Sequence, residues 1–423
     1  MTKKSSIWRL ISSILILPFT YSCSDTKELN KTYLNVLMPA PFEDSTRELI
    51  KQFNTINKDS IKVVVTRGPR ETESVSDLAI SSLLLEKSPY DALLIDVTWL
   101  PKYAEAGWLE NLAPWFDKTQ FDKLEKGAEQ GNIYKGNLYR WPFVADIGLL
   151  YWRKDLMSKP PKTPLDLTNI SKRLKVNKQI KYGYVWQGRQ YEGLSCVFLE
   201  IAKGFGGDWI SKEGVVALNN KNTISSIKWL KSLLKEGLSP KAVTNFSEPE
   251  ALQVFKNGDA AFMRNWPYAW KELQKDTSKV KGKVGITTMV SLNNYQPSPT
   301  LGSWGFSIIS SSPNKDKAAQ LIKFLSSNSS QKYLFLNYGY TPTTKEVFED
   351  KQLLAIKPIL VKLRQALRNS KPRPMTPVYA QISDVLQRHL SSIITEEVDI
   401  ESEMSEATKS TERILSSAGI RIE

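Results

Sequence analysis

Five consecutive runs decide the fold class: "YLNVLMPA" (33–40), "EDSTRELIKQFNTINKD" (43–59), "IKVVVTR" (61–67), "SVSDLAISSLLLEK" (74–87) and "YDALLIDV" (90–97). The first, third and fifth are short, apolar and rich in branched side chains, as buried strands are. The second puts Leu49, Phe53 and Ile56 on one helical face. Ser45 and Glu48 have capping-box spacing, which predicts a helix beginning near Ser45. The order strand–helix–strand–helix–strand predicts a parallel α/β layer. Ligands of such layers bind beyond the carboxyl ends of the strands, where Glu43, Arg67 and Asp96 fall.

Outward from this block the alternation continues. A proline-rich connection, "MSKPPKTPLDL" (157–167), follows "LYRWPFVADIGLLYWRKDL" (138–156). Strands are expected at "YGYVWQ" (182–187), after the turn in "NGDAAFMRN" (257–265), and at "WGFSIISS" (304–311). Helices are expected at "LSCVFLEIAKGF" (194–205), "NTISSIKWLKSLLKEG" (222–237), "NKDKAAQLIKFLSS" (314–327) and along the tail, where "ISDVLQRHLSSII" (382–394) is strongly amphipathic. At 423 residues the chain exceeds one typical core, and two domains are expected.

The N-terminus has a different character. Lys3, Lys4 and Arg9 precede the apolar run "LISSILILPF" (10–19), which is followed by "TYSCS" (20–24). This is the pattern of an export signal, and the run is too short to span a bilayer, which takes about 20 apolar residues. A Cys directly after such a run resembles a bacterial lipobox, although Thr20 and Tyr21 depart from its pattern. Lipidation at Cys23 is expected, with ordinary cleavage near Ser22 as the alternative. Residues 23–31 would then be a polar tether. The net charge of +14 falls to +11 without the three cations of residues 1–22. Basic and acidic residues are interspersed, so the balance describes a general surface rather than a nucleic-acid site.

The chemistry that is missing narrows the function. The single histidine, His389, lies at the edge of the apolar face of Ile382, Leu386 and Leu390. Past Cys23 the only cysteine is Cys196, so a mature monomer has no internal disulfide. Zinc sites and Ser-His-Asp or Cys-His catalysis are thereby excluded, and no phosphate-binding glycine motif is present. No cofactor or metal is expected. What remains is tryptophan and carboxylate. A pyranose has an apolar C–H face and a belt of hydroxyls, matched by flat aromatic rings and by charged hydrogen-bonding groups. Trp99, Trp186, Tyr191, Trp266 and Trp304 are the aromatic candidates. In "RNWPYAW" (264–270), Pro267 is expected to open a helix in its first turn, leaving Trp266 free to project while Tyr268 and Trp270 pack.

On the blocks "YDALLIDVTWLPKYAEAGWLENL" (90–112), "DIGLLYWRKDL" (146–156), "VWQGRQYEGLSCVFLE" (185–200), "AAFMRNWPYAW" (260–270), "KGKVGITTMVS" (281–291), "LGSWGFSIIS" (301–310) and "KPRPMTPVYAQISDVLQ" (371–387), the chain resembles the extracellular solute-binding proteins of ABC importers. Within them it is most similar to trehalose/maltose-binding lipoproteins, over nearly the whole mature length. The resemblance implies an α/β, two-lobed periplasmic-binding-protein fold (type II, maltose-binding-like) with the ligand cleft between the lobes. The lobes are expected as residues 32–143 with 301–345, and 144–300 with 346–423. By resemblance, Glu43, Asp96 and Asp146 accept sugar hydroxyls, Trp266 and Trp304 stack, Arg373 reaches into the cleft, and Arg67 is a further ligand-binding candidate. Val144 stands where relatives often carry tyrosine, and Ser303 where they carry glycine. The lost ring and the gained hydroxyl imply a ligand smaller than maltose or differently shaped, such as trehalose, sucrose or a glucosylglycerol-type osmolyte.

The implied protein is a monomer, not an enzyme. It would be lipid-anchored outside the cytoplasm and would deliver a neutral sugar to two permease subunits and an ATPase. Two other readings stay open: a secreted glycoside hydrolase using Asp96 and Asp146, and a receptor for a cationic solute. An intact ligand after long incubation separates the sugar receptor from the hydrolase. Competition by neutral sugars separates it from a cation receptor.

Overall fold

The computed structural model describes residues 31–85, 87–211 and 213–420; the expected signal and Cys23 lie outside them. The chain forms two main sheets. The strands of the first are β1 (Thr32–Pro39), β2 (Ile61–Gly68), β3 (Ala92–Asp96), β4 (Trp141–Ile147) and β9 (Leu301–Ile308). Those of the second are β5 (Leu149–Arg153), β6 (Tyr182–Val185), β7 (Ala260–Asn265) and β8 (Val284–Thr287). The five-stranded sheet has the order β2-β1-β3-β9-β4, and the four-stranded sheet β8-β5-β7-β6. β1 is parallel to β2 and β3, as the opening alternation predicts. β9 then runs antiparallel between β3 and β4, so the first sheet is mixed. A strand 205 residues after β3 completes that sheet, a pairing beyond the reach of local periodicity.

Besides the passage between Leu334 and Tyr379, which carries the chain from the core of the first sheet to that of the second, two strand crossings join the sheets. One is at Gly148, between β4 and β5, and the other enters β9 at Thr300, with the Gly148 N–H donating to the Thr300 carbonyl at 3.1 Å. β4 pairs with β9 as far as Ile147, with one register shift between Trp304 and Gly305, so the change of sheet falls at Gly148 rather than at the expected 143/144 boundary. Each sheet has its own apolar core. Val36, Phe53, Phe143, Phe306 and Ile322 fill the first, and Tyr184, Phe198, Trp209, Phe262 and Leu386 the second. A third cluster spans the crossing, from Ala145 and Ile147 to Leu149, Tyr151 and Met263.

Helix α1 (Ala40–Ile56) begins directly off β1, five residues before Ser45. Ser45 is therefore interior, and its hydroxyl donates to the Phe42 carbonyl at 3.0 Å instead of capping. Pro41 near the helix start explains the early nucleation, because its fixed φ and missing N–H suit the first turn. α2 (Thr72–Leu83) stops short of the expected end. α3 (Glu192–Gly204), α4 (Tyr268–Leu273), α5 (Lys315–Leu325), α6 (Ile359–Arg368), α7 (Tyr379–Thr395) and α8 (Ile400–Ser417) include the expected helices that matter here. Pro267 is the N-cap of α4 rather than its first residue, while Tyr268 and Trp270 pack against the crossing cluster. His389 is half-buried on α7, with its Nδ1 2.6 Å from Glu403 of α8. Among the described residues no helix is long and apolar enough to cross a membrane.

Candidate functional site

Asp96 is the last residue of β3, and Arg373 lies in the extended segment between α6 and α7. They meet as a buried pair, Arg373 Nη2 donating to both Asp96 carboxylate oxygens at 2.9 and 3.0 Å. Asp96 also caps the short 97–99 turn, accepting from the Thr98 N–H at 2.9 Å and the Thr98 hydroxyl at 2.7 Å. Arg373 Nη1 donates to Glu192 Oε1 at 2.7 Å. Glu192 further accepts from Tyr379 and from the Ser383 hydroxyl, both on α7. A chain of charge thus runs from the first sheet through Arg373 to the start of α3 on the second. Burial pushes the Glu192 carboxyl up, partly offset by Arg373. Burial alone would lower the Arg373 pKa, but Asp96 and Glu192 hold the guanidinium firmly charged. The Arg373 Nε–H is buried and has no acceptor. At the same residue, Glu73 on α2 accepts from the Glu192 backbone N–H at 2.9 Å, so the two lobes touch.

Trp266 follows β7 and is half-buried. Its indole Nε1 donates to Glu248 Oε1 at 3.0 Å, and the other Glu248 oxygen accepts from Tyr191 at 2.8 Å. The Tyr151 hydroxyl donates to the Trp266 carbonyl at 2.8 Å. Across the crossing, Gly302 lies so close that an added Cβ would sit 2.7 Å from the ring. Trp304, also half-buried, meets Phe42 at 5.2 Å and the edge of Trp99 at 5.3 Å between centroids. Both rings belong at the junction of the sheets because β9 carries Gly302 and Trp304 on one face.

Ser303 points the other way. It is fully buried, accepting from Arg140 Nη2 at 2.9 Å and donating to the Val144 carbonyl at 3.0 Å. The expected ligand-facing hydroxyl is therefore spent internally, because strand alternation turns residue 303 away from residue 304. Arg140 is fully buried too, and burial pushes it down to about 9, which still leaves it charged at neutral pH. Trp186 is core, with no exposure and its Nε1 on the Ser239 hydroxyl at 3.2 Å, and Trp99 is buried in the first lobe. Asp146 lies opposite Gly302 in the ladder, and its Oδ1 accepts from the Thr341 N–H at 3.0 Å. Burial pushes Asp146 up to about 7.

Glu43 sits in the first turn of α1, where its charge suits the helix N-terminus. It pairs with Arg47 at 2.9 Å and Arg67 at 3.3 Å, and Asp44 pairs with Arg67 at 2.8 Å. Arg67 is exposed and held at the rim by these carboxylates. Glu192, Tyr379 and Glu248 were not legible as site residues. Glu192 and Tyr379 lie inside the blocks "QYEGL" and "PVYAQ", but nothing local signals that they meet Arg373. Among the described residues no group of three His, Cys, Asp or Glu could hold a metal ion.

Two α/β lobes joined by crossing strands, with paired charges and aromatic rings between them, define a cleft-binding protein. Residues 39–332 match the family of bacterial extracellular solute-binding proteins, and the chain belongs to it. A probable ABC transporter-binding protein of Deinococcus radiodurans is 31% identical over 346 residues, 79% of this chain and 82% of that one. A maltotriose-binding protein of Pyrococcus abyssi is 26% identical over 300 residues, 70% of this chain and 64% of the other. The solved structure of maltose-bound T. maritima MalE3 superposes with a TM-score of 0.85 at 31% identity, covering 90% of this chain and all of that one. Membership gives an extracytoplasmic, solute-binding class.

Proposed function

We propose that this chain is the substrate-binding component of an ABC importer for a neutral disaccharide or small glucoside, bound by closure of the two lobes. Trehalose, sucrose and glucosylglycerol-type osmolytes are the ligands we favour. Trp266 and Trp304 stack on the sugar, while Glu43, Asp96, Asp146, Arg373 and Glu192 serve its hydroxyls, with Arg67 at the rim. Two permease subunits and an ATPase would receive the ligand. The observation that carries this reading is Arg373. It is fixed between Asp96 and Glu192, yet its Nε–H is buried without an acceptor. Such a donor costs about 1–3 kcal/mol unless something fills it, and a ligand hydroxyl would. Maltose and maltotriose in the names of two relatives point to the same substrate class.

The charges in the cleft are mostly paired, which favours a neutral ligand over a cation. Asp96 is tied to Arg373, an arrangement unlike a free acid–base pair for glycoside hydrolysis. Isothermal titration with trehalose, sucrose, maltose and glucosylglycerol, with spermidine as a cationic control, tests the reading. Micromolar or tighter binding of at least one neutral sugar is expected. Trp266→Ala should weaken it by about 1 kcal/mol, the scale of an aromatic stacking contact. Silence across the neutral panel, or binding of spermidine alone, overturns the proposal.

A further inference from the structure

We propose that Glu200 and Arg264 are positioning residues that fix the attitude of the Trp266 ring against the two strand crossings at Gly148 and Thr300. The inference rests on reading Trp266 as a ligand-contacting ring.

Both side chains are fully buried, Glu200 on α3 and Arg264 on β7. A buried ion pair is seldom the most stable filling for a core, since taking two charges out of water costs several kcal/mol per ion. Here the pairing is two-fold. Arg264 Nη2 donates to Glu200 Oε1 at 2.6 Å and Nε to Oε2 at 3.1 Å, the two-pronged form in which guanidinium binds carboxylate best. Gln187 closes the network, accepting from Arg264 Nη1 at 3.3 Å and donating to the Arg264 carbonyl at 3.0 Å. Burial pulls the Arg264 pKa down, but Glu200 more than offsets it, so the cation persists.

The surroundings of the pair explain its place. The Arg264 guanidinium carbon lies 3.9 Å from the centroid of the Trp266 ring, a stacked cation–π contact. On its other side the pair meets both crossings. The Thr300 N–H approaches Glu200 Oε1 at 3.4 Å, and a Cβ on Gly148 would collide with the Glu200 carboxylate. Gly148 is thus a glycine because the crossing passes directly over the carboxylate. One rigid fork therefore touches the ring and both strand crossings. Arginine is required, because a lysine ammonium cannot hold a carboxylate with two bonds and also lay a flat face on an indole.

The test uses Arg264→Lys, which keeps a cation for Glu200, and the charge-free pair Glu200→Gln/Arg264→Gln. The ligand-independent readout is the near-ultraviolet dichroism and fluorescence contributed by Trp266, taken as the difference from Trp266→Phe in each background. The contribution should collapse in both variants, and affinity for trehalose or maltose should fall about tenfold while the fold survives. An unchanged Trp266 spectrum in Arg264→Lys overturns the inference. If that variant does not fold, the charge-free pair decides by the same criterion. If the wild type binds no sugar of the panel, the functional reading fails, and the spectra still decide the positioning role.

Discussion

Asp146 shows what burial does to one carboxylate. It is about as buried as a core residue, and burial outweighs its hydrogen bond from Thr341, raising it from 3.8 to about 7. The folded state then holds a proton that the unfolded chain has lost between those values. The resulting stabilisation is complete below pH ~4 and disappears as pH rises through 7, on the order of 4 kcal/mol for three pKa units. Asp146→Asn should remove this dependence. Urea unfolding at pH 5 and pH 8 checks it: the variant should gain on the wild type as pH rises, and parallel behaviour would sink the idea. The residue type and the strand end were legible in "VADIG". The proton was not, because it depends on the Thr341 segment folding over the carboxylate from 195 residues away.

Among elements, α6 has the clearest electrostatic anchor. Glu125, fully buried, accepts from Arg364 Nε and Arg368 Nε, each at 2.6 Å. Burial alone would raise the Glu125 pKa, but the two arginines hold it below the ordinary value. Beside it, the backbone of Gly127 passes so close to Leu367 that φ is +102° and a side chain would strike the Leu367 carbonyl. Glu125→Ala should cost about 1.5–3 kcal/mol, the range for hydrogen bonds to charged groups, with the lower end favoured because both arginines keep contact with water. The drop in urea midpoint at constant slope measures it, and an unmoved midpoint would mean that apolar contacts alone dock α6. Most strands and helices were readable from periodicity. The start of α1 was not, since the Ser45–Glu48 spacing imitates a cap while Pro41 and the direct exit from β1 set the true beginning.

At the scale of the molecule, the lobes are joined by the two strand crossings, the later passage of the chain into α7, the apolar cluster from Ile147 to Met263, and polar contacts, including Glu73 with the Glu192 N–H and Arg373 between Asp96 and Glu192. Domains joined by a few passages of the chain commonly close on a ligand as hinged bodies. Small-angle scattering should give a larger radius of gyration for the unliganded chain than for the chain saturated with a bound sugar. A compact chain of this length has a radius of about 22 Å. An unchanged radius on saturation would rule out binding by closure.

The sequence by itself determined the alternation of strands and helices, the parallel opening layer, the aromatic and acidic inventory and the absence of histidine or thiol chemistry, because these depend on residue type and short-range period. Only the tertiary structure decided that β9 completes the first sheet, that Ser303 serves Arg140, that Trp186 is core, and that Glu200, Arg264 and Trp266 form one unit. Those outcomes turn on which distant segments share a face. Side-chain charge and ring orientation take their energies from neighbours that sequence order does not supply.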